Sequence, residues 1–253
     1  MDVATKVYVD TKANDQPVAM YAIPASGTGD STIVVLPSGK VVLIDAHSTG
    51  KTNVVTQLNA LGITHIDYFI LSHYHNDHCA GFYDGTLDSF FNSTSTIIIP
   101  QDIPASVNNY PGMTDTLSPP GTMPKVKSKI SAFGAATIQP TTEKQELVID
   151  NNIKLVFRNV DHSAYYAESS SVFDHNNCSL CVELHYGGAM AFFSGDIGKS
   201  AQAALVGTVG KVSVYKAHHH GSDNFQNADW LYEVNPDVIY CCCGTSIFDT
   251  AYT

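Results

Sequence analysis

The sequence predicts an α/β protein in which two β-sheets pack face to face with helices outside. Three observations carry that expectation. Short, fully apolar strands arrive in pairs around tight turns. Segments of helical period follow them with clear stop signals. The order of strands then helix runs twice, once in each half of the chain. With 253 residues, 44% of them hydrophobic and 15% charged, the chain has material for a sizeable core and reads as one domain over 1–253.

Residues 31–37 (STIVVLP) and 41–47 (VVLIDAH) flank the turn SGK and read as a hairpin of buried strands. Ser48 or Thr49 caps the helix that follows. Its apolar positions Val54, Val55, Leu58 and Leu61 recur at helical spacing, and Gly62 stops it. IDYFILS (66–72) and STIIIP (95–100) are further strands. Residues 101–128, rich in Pro, Ser, Asn and Gly, read as a long surface excursion. Two hairpins open the second half: 146–160, turning at Asp150, Asn151 and Asn152, and 179–196, turning at Gly187 and Gly188. KSAQAALVG then suits a short helix, KVSVYKA a strand, NADWLYEV a helix and DVIYCCCG a final strand. The chain ends soon after that strand, which leaves room for a missing closing helix.

The formal net charge of −11 disfavours an extended duplex nucleic-acid groove, while a small anionic substrate held by local cations remains compatible with it. The six cysteines include three in a row, a poor layout for a disulfide framework, so reduced thiols in a cytoplasmic protein are expected. The N-terminus has no signal pattern and no apolar run approaches a membrane span.

The stretch LSHYHNDHCAG (71–81) sets His73, His75, Asp77 and His78 at the end of a buried strand. Alternating His73 and His75 point the same way in an extended segment, whereas Asp77 and His78 follow in a turn and face the site from another side. Each buried ring nitrogen needs a partner, and a metal ion serves several rings at once. The spacing favours two ions, one on the histidine pair and one on the Asp–His pair. Further candidates sit at strand ends: His175, Asp196, and the run His218, His219, His220.

These residues, together with GTGDS (27–31), VLIDAH (42–47), HNNCSLCVEL (175–184), FSGDIG (193–198) and YKAHHHGS (215–222), resemble the metallo-β-lactamase superfamily, and within it the ComEC-type competence-protein group. The resemblance implies an αββα sandwich of two mixed sheets. It implies that His73, His75 and His175 (or, in place of the last, His162) hold a first metal, that Asp77, His78 and His220 hold a second, and that Asp196 bridges them. His219 would contact an anionic oxygen of the substrate, with the roles of His219 and His220 open to exchange. Asp45 would steady the ligands by hydrogen bonds, and Lys216 or Ser222 would add a donor to the substrate. His47, where the family usually has a small residue, is read as facing solvent, and Cys79 as a small buried filler.

The implied activity is hydrolysis at a dinuclear centre through a bridging hydroxide. Two divalent ions are expected, Zn²⁺ first and Mn²⁺ as the alternative. The implied substrate is a phosphodiester in a small nucleotide, a short nucleic acid or a phosphorylcholine-like molecule. The Tyr-rich piece 161–170 offers a lid over such a ligand. Two alternatives stand beside this reading: hydrolysis of a carboxylic ester, thioester or lactone, and a non-catalytic metal-binding interaction module.

Overall fold

The computed structural model describes residues 5–9, 17–47, 51–104, 119–167, 175–222 and 227–243. Strands β1 (Thr5–Val9), β2 (Val18–Ala22), β3 (Thr32–Val35), β4 (Val41–Ile44), β5 (Tyr68–Ile70), β6 (Thr96–Ile98) and β7 (Ala136–Ile138) form one sheet in chain order. The strands from β1 to β4 pair antiparallel and those from β4 to β7 parallel. Strands β8 (Glu146–Asp150), β9 (Ile153–Arg158), β10 (Cys181–Tyr186), β11 (Ala189–Phe193), β12 (Val214–Lys216) and β13 (Val238–Tyr240) form the second sheet, again in chain order. The same plan recurs there: antiparallel from β8 to β11, parallel from β11 to β13. Both sheets are therefore mixed, and each half of the chain builds one.

Side-chain alternation explains the layering. In β4, Val42 and Ile44 join the core between the sheets, while Val41 and Leu43 face the helix side. A strand covered on both faces has no polar positions, which is why VVLI reads as a continuous apolar run. The outer face of the first sheet is covered by α1 (Lys51–Ala60, through Val54 and Leu58), α2 (Asn76–Tyr83, through Phe82) and α3 (Pro119–Phe133, through Val126 and Ile130). The outer face of the second is covered by α4 (Lys199–Leu205, through Ala201 and Leu205) and α5 (Ala228–Val234, through Trp230 and Val234). This is the expected sandwich with helices outside.

Three local expectations are corrected. Residues 119–128, read as part of a surface excursion, lie in α3. Its apolar spacing at Val126 and Ile130 outweighs the cost of Pro119, Pro120 and Pro124, of which only Pro124 sits inside the helix; residues 105–118 lie outside the described residues. Asp77 and His78 belong to the first turn of α2 rather than to an irregular turn. His47 is fully buried rather than facing solvent. The caps Ser48 and Thr49, the end of the Tyr-rich piece (168–170) and the chain's last ten residues lie outside the described residues.

The parallel strands all deliver their C-terminal ends to one edge of the sandwich. Asp45 follows β4, His73 follows β5, Asp196 follows β11 and His218–Gly221 follow β12. That edge is where an α/β sheet leaves loops free to carry chemistry.

Candidate metal centre

Asp45 anchors one side of the site. It is buried with a left-handed backbone (φ 55°), and its carboxylate accepts from the Ser72 N–H (2.7 Å), the Ser72 hydroxyl (2.7 Å) and His78 Nδ1 (2.8 Å). Ser72 Oγ, its own proton committed to Asp45, lies 3.1 Å from His73 Nδ1 and accepts from it. Both rings thus carry a proton on Nδ1 and turn Nε2 inward. Helix α2 holds this geometry because it docks on the Asp45–His47 segment: Ala46 N–H donates to His78 O (2.7 Å) and Gly81 N–H to Ala46 O (2.9 Å). A Cβ at Gly81 would stand 3.1 Å from the Ala46 oxygen, so glycine allows the approach.

Four ligand-type atoms converge next. His78 Nε2 is 3.0 Å from Asp196 Oδ2; His220 Nε2 is 3.2 Å from Asp196 Oδ2 and 3.3 Å from Asp77 Oδ2. Atoms bound about 2.0–2.1 Å from a tetrahedral zinc stand about 3.3 Å from one another, so this spacing is that of a ligand cage. His220 Nε2 and Asp196 Oδ1 are buried without a hydrogen bond. Electrostatics agree. Burial alone would drive the proton off His78, but Asp196 and Asp45 outweigh it and hold the ring's basicity well above its usual value; Asp196 and Asp30 do the same for His220. Four carboxylates, Asp30, Asp45, Asp77 and Asp196, meet here with one ammonium, Lys216. A divalent cation suits such a donor set, and the buried atoms of Asp30, His78, Asp196 and His220, all within 4.8 Å of one another, form a cluster able to hold a metal, with Asp77 beside it at His220.

A second set lies beside it. His73 Nε2 is 3.0 Å from His75 Nδ1, and the His175 ring is centred 5.9 Å from that of His75. Burial holds His73 neutral, well below its usual range. Burial, with the nearby His75, pushes His175 down to about 3. Neutral imidazoles are the form that binds metal. His162, the alternative to His175, is buried beside a shallow pocket lined by Gln101, Asp102 and Thr141.

The three consecutive histidines part company. Tyr215 OH accepts from Trp230 Nε1 (3.0 Å) and donates to His218 Nδ1 (2.5 Å), so His218 is tied into the core beneath α5. His220 enters the cage. His219 is half-buried at the rim, its ring centred 5.8 Å from that of His220. Ser222, half-buried, donates its N–H to His219 O (3.0 Å). Lys216 is buried, ion-paired with Asp30 and 3.6 Å from Asp196 Oδ1, so it faces the cage's interior and no exposed substrate wall. Cys79 is buried in α2 and donates its thiol to His75 O (3.1 Å). His47 packs against the site: a Cβ on Gly29 would stand 2.6 Å from its Cβ, and burial pushes its ring down to about 4.

Asp30 and Ser72 escape a sequence reading. Both appear inside quoted motifs, but their roles depend on partners far along the chain, 190 residues in the case of Asp30 and His220.

Known proteins share part of this sequence and the fold. Residues 26–85, which bear GTGDS, VLIDAH and the histidine motif, match the model of the metallo-β-lactamase superfamily. A diiron β-hydroxylase, CmlA, from Streptomyces venezuelae is similar in structure (TM-score 0.52, 11% identity, 92% of this chain and 46% of that one). So is the hydrolase AbOPH of the β-lactamase superfamily (0.50, 15%, 79% and 76%). A metal-dependent hydrolase from Parabacteroides distasonis also aligns (0.49, 10%, 84% and 74%). No curated protein sequence matches the chain. The family match rests on residues 26–85, and the likeness to CmlA and AbOPH is one of fold. Among the described residues no helix is long and apolar enough to cross a membrane.

Proposed function

We propose that the protein is a two-metal hydrolase that cleaves phosphodiester bonds in small anionic substrates. The observation that carries this reading is the cage of His78, His220, Asp196 and Asp77, linked by three contacts of 3.0–3.3 Å, beside the imidazoles of His73, His75 and His175. His73, His75 and His175 would hold one divalent ion, Asp77, His78 and His220 the other, and Asp196 would bridge. When bound, such a pair polarises an acyl or phosphoryl oxygen and lowers the pKa of a shared water toward about 7.

The chain's own residues supply the rest. Asp45 and Ser72 fix the tautomers of His78 and His73. His219, half-buried next to His220, would donate to an anionic oxygen of the substrate. Asp77, 30% exposed at the side chain, borders solvent on the side from which a substrate arrives. With Lys216 consumed inside, charge on the substrate falls to the metals and His219, which favours a small phosphodiester over a long polyanion. The half-buried Ser222 adds a hydroxyl on the same rim.

The test is to measure zinc and manganese per chain, then assay bis-p-nitrophenyl phosphate beside p-nitrophenyl acetate, with Asp77→Ala and His220→Ala as controls. About two ions per chain and phosphodiester cleavage abolished in both variants is the expected result. Cleavage of the acetate alone would replace the phosphodiester reading with a carboxylic-ester one. Tight metal with neither activity would leave a metal-binding module.

A further inference from the structure

Two of the sequence motifs, GTGDS and YKAHHHGS, contribute residues that the proposed chemistry does not use: Asp30 and Lys216. They meet across 186 positions of chain in a buried ion pair, their side chains 5% and 4% exposed. Asp30 Oδ2 takes the Lys216 ammonium, and Oδ1 lies 3.1 Å from His220 Nδ1. Lys216 also donates to Gly195 O (3.0 Å), directly before Asp196. The Asp30 N–H donates to Asp77 O (3.2 Å). The pair therefore touches the His220 ring, the backbone of Asp77 and the backbone directly before Asp196.

We propose that Asp30, held by Lys216, is the positioning residue of His220. This inference rests on the metal-centre reading above. His220 needs such a partner more than the other ligands do. It sits in a left-handed backbone (φ 56°, ψ 21°) directly after His219 (φ 46°, ψ 50°), so neither helix nor strand fixes its ring. The Gly29 N–H also points at His220 Nδ1, at 3.4 Å, but the charged Asp30 oxygen is nearer at 3.1 Å; by accepting the Nδ1 proton it selects the tautomer whose Nε2 lone pair faces Asp77 and Asp196, and it strengthens that nitrogen as a ligand. Asp45 does this for His78; Asp30 is its counterpart in the other half of the cage. Lys216 has a separate task. Oxygens of Asp30 lie close enough to the cage to compete for the cation, because ligand atoms of Asp30, His78, Asp196 and His220 all fall within 4.8 Å of one another. Pairing Oδ2 with an ammonium keeps Asp30 behind the ring instead of on the metal, and keeps a buried carboxylate ionised.

The experiment compares zinc binding by chelator competition in the full-length protein, in Asp30→Asn, and in the charge-balanced double variant Asp30→Asn with Lys216→Met, with the metal-free melting temperature of each. The expected result is about two zinc ions in every variant at saturation, with the weaker-bound one losing roughly 10–100-fold in affinity in both variants. The double variant should do so at a melting temperature close to that of the parent. Cobalt substitution reads the same site by its visible spectrum. Unchanged affinity in a folded double variant overturns the positioning role while leaving the metal centre standing. Saturation at about one zinc overturns it in favour of direct ligation by Asp30. A parent protein with no tight zinc removes the metal centre itself, and the inference with it.

Discussion

His47 shows how a single burial sets a pH response. The ring is fully buried, and desolvation outweighs the attraction of Asp30, leaving its basicity at about 4. The unfolded chain takes up a proton near pH 6.5, whereas the folded metal-free protein refuses it until about pH 4. The contribution to stability is therefore complete above pH 6.5 and is lost as pH falls toward 4. Its size is on the order of 3 kcal/mol. His175 works in the same direction over a wider range, down to about 3. Urea unfolding of the metal-free protein between pH 7 and 4 should show stability falling with pH, and His47→Gln should flatten part of that slope. A slope identical in the variant would remove His47 as a cause. The sequence marked His47 as a departure from the family it resembles. Its burial was not legible, because it depends on the close approach of Gly29, whose own backbone (φ 139°) suits glycine.

At the scale of elements, the turn after β12 stores strain for a purpose. Three successive left-handed residues, His219, His220 and Gly221, reverse the chain, and only the third is glycine. A left-handed non-glycine residue costs about 1 kcal/mol. His219→Gly should therefore leave the metal-free melting temperature unchanged or raise it by a few degrees, while lowering turnover through loss of the rim imidazole. A thermal melt and a kcat measurement on one preparation check both halves; a clear drop in melting temperature would mean that the ring's packing outweighs its strain. Elements were the most legible level of this sequence. The pairs 31–47, 146–160 and 179–196 announced themselves because Gly, Asn and Asp separate largely apolar runs. Helix α3 was hidden because three prolines at or near its start outweigh, by composition, the two apolar positions that dock it. Strand β7 was hidden because its three residues are mostly exposed and carry little pattern.

At the scale of the molecule, the cage joins the halves. Leu180 N–H donates to Ser72 O (2.7 Å), and a Cβ on Gly195 would strike both Ser179 and Ser72, at 2.7 and 2.8 Å, so the two sheets touch directly behind the ligands. On the proposed reading, a cation held by His73–His78 from one half and by His175, Asp196 and His220 from the other would bind the folded state alone. At a free concentration 1,000 times its dissociation constant, it stabilises by about 4 kcal/mol. Chelator treatment should lower the melting temperature by several degrees, and zinc should restore it. The same treatment of His220→Ala should have a smaller effect. A chelator response equal in both would place the stabilising ion elsewhere. Which atoms meet across the halves was invisible to spacing arguments, since partnerships such as Asp45 with His78 or Asp30 with His220 follow only from the packing of one sheet on the other.

The same division has a consequence for how the protein matures. His78 and Asp196 lie 118 residues apart. At about 5–20 residues per second of synthesis, the histidine motif is outside the ribosome for roughly 6–24 s before its carboxylate partner exists. Through that interval the nascent chain offers a loose, exchangeable imidazole cluster that any passing cation can visit and leave. On the proposed reading, the choice of metal would thus fall to the finished cage, at the moment the second half closes on the first.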